Sequence, residues 1–475
     1  MKNIDCVHIK NIEGEKMIDI NYEGLTGKVV TNNSISYDED RQAWNRAIEK
    51  YPLVIVYCYE KEDVINAVRW AREKSLDIRI RSGAHHYEGY STGDGVVVID
   101  VSQMQEINID EDKKLVKIAG GVRNREIYEA LGEKEYPFPG GGCPTVGVTG
   151  LVLGGGWGYS SRLFGLASDS LIELEMVDYK GDLIIANESI NEDLFWACRG
   201  GGGGNFGIVV SMTFALSEKR KMTTLINIEY LHITKEENIK IIEVLQNSFK
   251  TWGRNINIKT AIYNSKEKGS GVKITGLMHG SLEETNIAFK DFKNISDKAI
   301  FKLEYMPLLE ANRVIQDSHP DFEKYKSTGR FVYKDYSREE IEKIIETVEN
   351  VAEGSTYAAI SFYGLGGAVE DKDKQSTAFY YRDAKFIMGI QSVWEDDEYS
   401  EENKSWIIDR FKFIKTITEG SYINFPFGEL EDYETEYYGE NKYKLREVKG
   451  KYDPYNIFTF KQGIKMEKEQ LVSCI

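Results

Sequence analysis

Two nucleophilic side chains, His85 and Cys143, stand in segments whose other residues account for a nucleophile being there. The first segment, residues 81–89, reads RSGAHHYEG and follows an apolar-alternating stretch, residues 76–80, that predicts a short strand. The second, residues 140–158, reads GGGCPTVGVTGLVLGGGWG. Glycines this dense let backbone approach a flat or phosphorylated ligand closely, so a bulky, charged cofactor is expected beside them. Each nucleophile alone has a plainer reading: a histidine in a polar glycine loop often only forms hydrogen bonds, and an isolated cysteine is most often a small buried residue. Cys143, after three glycines and before Pro144, sits in a loop too bare for a packed core.

The elements that must hold these loops are legible around them. Residues 61–74 carry Val64, Ile65, Val68 and Ala71 on one helical stripe with charges opposite. With strand-like residues 54–57 before and 78–80 after, this reads as a strand, helix, strand unit. Residues 95–101 and 115–118 add β-branched strand candidates. A GxGxxG match, Gly202, Gly204 and Gly207, lacks the strand before and helix after that a Rossmann loop needs. A helix-like DLFWACRG precedes it and a strand-like IVVSMTF follows, so a glycine turn is expected instead. Residues 335–352 predict an amphipathic helix with Ser337 as N-cap and Glu340 at capping-box spacing. Strands are expected over 358–363, 377–381 and 386–393. KYDPYNIF, residues 451–458, reads as a helix end, a turn and a strand.

Composition narrows the function classes. The chain has 475 residues, 60 Lys+Arg against 77 Asp+Glu, and a net charge of −17 at pH 7, which disfavours nucleic acid and anionic membranes as partners. Five scattered cysteines (Cys6, Cys58, Cys143, Cys198, Cys474) argue against a disulfide framework and against a zinc site; Cys6, Cys58, Cys198 and Cys474 read as inert. No metal is expected. The first residues, MKNIDCVHIKNIEGEK, lack the apolar core of a secretory signal, and no run approaches the roughly 18 apolar residues needed to span a bilayer. A cytoplasmic location is expected. No repeat or low-complexity tract is evident.

Five separated motifs, RSGAHHYEG, CPTVG, DLFWACRGGGGGNFGIVV (193–210), YYGEN and KYDPYNIF, occur in an order that resembles the berberine bridge enzyme-like FAD-linked oxidases over roughly residues 22–465. The resemblance implies an α+β fold of the PCMH, vanillyl-alcohol-oxidase-like type: an FAD domain of two subdomains plus a substrate domain whose antiparallel sheet is covered by helices. Motifs of the cofactor domain return at about residue 430, so that domain is expected to be discontinuous, 1–215 and 430–475, with a substrate domain at 216–429 inserted.

The resemblance further implies FAD held by two covalent bonds, from His85 to the methyl carbon of the dimethylbenzene edge and from Cys143 to the adjacent ring carbon. Arg81, Ser82, Gly83, Ala84 and His86 flank the first anchor, His86 taking the place of a serine usual in RSGGHSY-type loops. Val146, Gly147, Gly150, Gly154, Gly155, Trp157 and Gly158 follow the second. The glycine turn with Gly207, Ile208 and Val209 is expected along the adenosine or ribityl part, and Tyr438 and Asn441 near the isoalloxazine.

A small valine at 146 is associated in the family with oxygen access, which favours an oxidase. Leu151 and Trp157 depart from plant relatives, which carry histidine and tyrosine there, and weaken any transfer of plant substrates. Tyr422, in SYINF, matches the YxN tyrosine that acts as base in carbohydrate and alcohol oxidases; a plain strand tyrosine is the alternative. Gln391 stands at a Gln/Glu position above the flavin and would orient substrate or polarise Tyr422. The expected activity is hydride removal from a small-molecule alcohol, sugar or secondary-metabolite C–H, with molecular oxygen as acceptor. A dehydrogenase using another acceptor, and a flavin-bearing binding protein without turnover, are the alternatives.

Overall fold

A computed structural model describes residues 6–9 and 16–466, with side chains from residue 20 onward. The Cys6 side chain and Cys474 therefore lie outside the described residues. Besides a two-stranded sheet of Cys6–Ile9 and Lys16–Asp19, three larger sheets surround a cavity. The helix Lys61–Glu73 buries Val64, Ala67, Val68 and Ala71 against a four-stranded sheet. That sheet runs in the order Lys28–Thr31, Val54–Tyr57, Val97–Asp100, Ile78–Arg81. Strands Val54–Tyr57 and Ile78–Arg81 both pair in parallel with Val97–Asp100, as a helical crossover requires. The cavity loop starts directly from the last of these strands at Arg81.

A second sheet of five antiparallel strands contains Ile208–Ala215 between Leu171–Val177 and Leu115–Ala119. The short helix Glu192–Ala197 and the glycine run precede Ile208–Ala215, so a helix-to-strand turn stands where a Rossmann loop would need a strand-to-helix one. The third sheet has eight antiparallel strands, Ala299–Pro307 and Glu419–Ser421 at its edges. Helices Lys235–Thr251, Arg338–Glu349 and Ser400–Ile417 cover one face. Along Ile256–Ser265 the alternation of a strand sends Ile258, Thr260 and Ile262 into the interior, while Lys259 and Ala261 line the cavity on the other face. Ser337 caps Arg338–Glu349 as expected: its Oγ accepts from Glu340 N at 3.3 Å and its own N donates to the Glu340 carboxylate at 2.9 Å. This architecture is of the α+β class that the motifs imply.

Two strand expectations fail. Residues 377–381 form no strand. Their backbone bonds go elsewhere: Ala378 N to Trp196 O, Phe379 N to Arg199 O, and the Thr377 carbonyl to Asn441 Nδ2. After the helix Lys442–Tyr452 no strand follows among the described residues either. There the buried Asp453 carboxylate accepts from Ile457 N and Phe458 N at 2.8 and 2.9 Å, taking the donors a strand would have paired. Among the described residues no helix is long and apolar enough to cross a membrane.

Candidate active site

Between the sheets lies a cavity of about 510 Å³ lined by both glycine loops and by the open face of the eight-stranded sheet. The two loops meet backbone to backbone. A Cβ at Gly83 would stand 2.3 Å from Gly147 N, and one at Gly147 would stand 2.5 Å from Ser82 Oγ, so glycine is required at both positions for this approach. Ser82 Oγ donates to Gly120 O at 3.0 Å, and Ala84, at φ 58°, turns the chain so that His85 enters the cavity. On the other side the start of the helix Asn124–Gly132 holds CPTV. Asn124 N and Arg125 N donate to the Val146 and Pro144 carbonyls, and Asn124 Nδ2 donates to Cys143 O at 2.9 Å.

His85 and Cys143 converge on one hydroxyl. His85 Nε2 is 2.7 Å from Thr145 Oγ1, and Cys143 Sγ is 3.8 Å from the same atom. The His85 ring stacks on Trp44, 4.8 Å between centroids. Burial, with the nearby Arg123 and His319, pushes its pKa down to about 3, so the imidazole is neutral and has a lone pair to offer. Burial pushes the Cys143 thiol up, and hydrogen bonds around Thr145 partly offset this. His86 is likewise neutral, its pKa lowered to about 4 by burial, and its Nδ1 accepts from Glu88 N.

The cavity wall also includes Val146, Gly147, Gly150, Trp157, Gly207, Val209 and Gln391. A Cβ at Gly150 would meet nothing within 4 Å, which leaves bare backbone open to a bound group. Asn124 Oδ1 and Tyr90 Oη, buried and without hydrogen-bond partners, point to polar ligand atoms in the same space. Glycine-bared backbone, orphaned polar atoms and two nucleophiles on one wall fit FAD.

Several expected residues stand behind the wall. Arg81 is buried in an ion pair with Asp100. Gly154 makes room for Asn424, Gly155 for Phe379, and Gly158 for the Gly140 carbonyl, while Ile208 is core. Tyr438 donates to Gly201 O at 3.0 Å and so braces the glycine run from behind, while Asn441 donates to the Lys374, Thr377 and Ala378 carbonyls and holds that loop. Tyr422 is 1% exposed and also absent from the lining. Its oxygen receives N–H bonds from Gly156 at 3.1 Å, Trp157 at 3.2 Å and Asn424 Nδ2 at 3.0 Å. Burial raises its pKa and these three donors pull it back.

Trp44, Lys259, Glu323, Tyr357 and Tyr363 also line the cavity and belong to no motif, whereas Tyr87 lies inside RSGAHHYEG. Thr145 lay inside CPTVG and was legible as part of it, though its hydroxyl was not singled out.

Two family models match, "FAD binding domain" over residues 52–187 and "Berberine and berberine like" over 421–465. A Bacillus subtilis (strain 168) protein, the uncharacterized FAD-linked oxidoreductase YgaK, is 35% identical over 451 residues, 93% of this chain and 97% of its own. The solved structure of Physcomitrella patens BBE-like 1 superposes with a TM-score of 0.85 at 25% identity, covering 93% of this chain and 98% of that one. Glucooligosaccharide oxidase from Acremonium strictum shares the fold at a TM-score of 0.84 and 23% identity, over 92% and 97% of the two chains. The chain belongs to the berberine bridge enzyme-like FAD-linked oxidoreductases.

Proposed function

We propose that this enzyme is an oxidase that carries FAD on two covalent bonds, to His85 and Cys143, and removes a hydride from a C–H bond next to oxygen in an alcohol or sugar, with molecular oxygen as electron acceptor. The convergence of His85 Nε2 and Cys143 Sγ on Thr145 Oγ1 carries this reading. A cysteinyl and histidyl FAD is named for the Acremonium strictum oxidase, and the matching residue types meet here on one cavity wall. The neutral His85 imidazole supports attack on an electrophilic form of the flavin methyl. When bound, FAD supplies the two-electron acceptor.

The chain's own residues do the rest. Residues 1–215 and 430–475 hold the cofactor, and 216–429 present the substrate face, from which Gln391 reaches the cavity. Gln391, an amide, orients substrate and takes no proton. Tyr422, expected as the base, has its hydroxyl turned into the Gly156–Trp157 backbone; this geometry supports a positioning part, fixing Trp157 and Asn424 in the wall. Val146 on the lining is consistent with oxygen access.

The test is a spectrum of purified protein before and after acid precipitation, with peptide mass analysis, then anaerobic addition of alcohols and sugars. Yellow colour that stays with the precipitate, both linked peptides, and bleaching reversed by air are the expected outcome. Flavin released by acid would overturn the attachment, and bleaching that air does not reverse would favour a dehydrogenase.

A further inference from the structure

Among the described residues the cavity wall carries one carboxylate side chain, Glu323, and none of the described residues pairs with it. Glu323 lies on the wall between Pro320 and Tyr325. Its backbone is pinned: Glu323 forms a parallel bridge with Asn45, Arg46 N donates to its carbonyl at 2.7 Å, and its N donates to Trp44 O. Trp44 in turn stacks on His85, so the pinned segment places Glu323 beside the anchor wall. Among the described residues its carboxylate has no hydrogen-bond or ion-pair partner, while its backbone is fully engaged. Glu88, from the first loop, is by contrast engaged, pairing with Lys326 at 2.7 Å. A carboxyl held in a cleft by its backbone, with its oxygens unused, is free to act on what enters.

The geometry points to Glu323 as the group that accepts the substrate's hydroxyl proton, an inference that rests on the oxidase reading above. In the step, the substrate O–H bond breaks and its proton passes to a Glu323 oxygen. The C–H bond breaks with both its electrons leaving as hydride to FAD, and the carbon–oxygen bond becomes a carbonyl. Oxygen then takes two electrons and two protons to give hydrogen peroxide, and Glu323 returns to carboxylate.

The surroundings suit this duty. Tyr87 from the first loop, Cys143 from the second, Tyr325 from Lys324–Val332 and Tyr357 from Ser355–Gly364 surround Glu323; burial raises the pKa of all four, and its negative charge adds to that. His319, on the same loop, is neutral, with a pKa lowered to about 4. Lys259, from Ile256–Ser265, is the one cation that draws the Glu323 pKa down. Burial outweighs that attraction and lifts the carboxyl to about 7, where a general base is most effective near neutral pH. Tyr422, which the YxN pattern marks for this task, is absent from the lining, and its oxygen is occupied by three N–H groups, those of Gly156, Trp157 and Asn424.

Two measurements test the inference. The first is a pH-difference infrared spectrum of the holoprotein between pH 6 and 8, which reads carboxyl ionisation without turnover. Wild type is expected to lose a protonated-carboxyl band that E323Q lacks, and Lys259→Met is expected to move the midpoint to higher pH. The second is anaerobic flavin reduction by D-glucose, maltose and benzyl alcohol in wild type, E323Q and E323D. E323Q is expected to slow reduction on the order of 100-fold or more, to lose the acidic limb of the pH profile, and to be reduced by dithionite as wild type is, with E323D recovering part of the rate. Reduction of E323Q at the wild-type rate, or a carboxyl band that survives in E323Q, overturns the inference. Wild type that binds FAD but that none of the three probes reduces counts against the oxidase reading, whereas the infrared difference between wild type and E323Q still decides whether Glu323 ionises near neutrality, and its absence overturns the inference.

Discussion

His85 Nε2 and Thr145 Oγ1 lie 2.7 Å apart, and this contact ties the end of one glycine loop to the middle of the other. The same hydroxyl is 3.8 Å from Cys143 Sγ. Thr145 therefore holds the imidazole in its orientation, and it does so beside the second anchor.

Thr145→Val keeps the β-branched shape and removes the hydroxyl. A single hydrogen bond of this kind contributes about 1 kcal/mol, roughly a fivefold effect on the population of the aligned ring. The expected outcome is that the variant binds FAD but retains a smaller fraction of it after acid precipitation at early times. Unaltered kinetics of attachment would show that Trp44 stacking alone orients His85.

Tyr422→Phe strands three N–H donors, those of Gly156, Trp157 and Asn424 Nδ2, in a buried place. Each unsatisfied buried donor costs about 1 to 3 kcal/mol, reduced where Asn424 keeps its bond to Leu151 O at 2.8 Å. A loss of roughly 3 kcal/mol of stability is expected in denaturant unfolding. Flavin reduction is expected to fall far less than in E323Q, because the Tyr422 hydroxyl does not face the cavity. A larger loss in Tyr422→Phe than in E323Q would restore Tyr422 as the base.

The loops were legible because their information is local. Glycine density around Cys143 and after Cys198, and the capping box at Ser337 and Glu340, are written within a few residues. What a side chain faces is not local. Arg81, Tyr438 and Asn441 sit in matching motifs, yet each turns to a partner far along the chain: Asp100, Gly201 and the 374–378 loop. Glu323 and Trp44 meet through a bridge between segments some 280 residues apart, which no periodicity announces. Residues 377–381 look like a strand because they are aromatic and β-branched, but those rings pack on Phe331 and Tyr422 and the backbone is used by loops.

Lys449 and Asp453 form a buried pair, 1% and 0% exposed, at 2.6 Å. The ammonium also donates to Asn205 O and Phe458 O, both at 2.7 Å, and so fastens the C-terminal helix to the glycine run that lines the cavity. Lys449→Met leaves a buried carboxylate without its cation, which costs about 3 to 5 kcal/mol. Expected are a lower denaturant midpoint and weaker retention of FAD, while Lys449→Met/Asp453→Asn recovers part of the stability. A single variant as stable as wild type would mean the carboxylate is satisfied by Ile457 N and Phe458 N alone.

His279 gives a pH dependence of definite sign. Its Nε2 is 3.0 Å from Ser160 Oγ, its Nδ1 is buried without a partner, and burial, with the nearby Arg220, pushes its pKa down to about 4. The unfolded chain takes up a proton at this residue below about pH 6.5, whereas the folded protein does not until about pH 4. Between those values the unfolded state binds more protons, so stability falls as pH falls, by about 1.4 kcal/mol per unit from this residue. Glu323 acts oppositely, since its raised pKa makes the folded state the proton binder between the usual carboxylate range and about 7. Comparing wild type with His279→Gln at pH 7 and pH 5 cancels Glu323 and the other groups common to both. Wild type is expected to lose roughly 2 kcal/mol more than the variant across that interval, read from denaturant midpoints at equal slope. Parallel losses in the two proteins would show that the buried ring is protonated in the folded state.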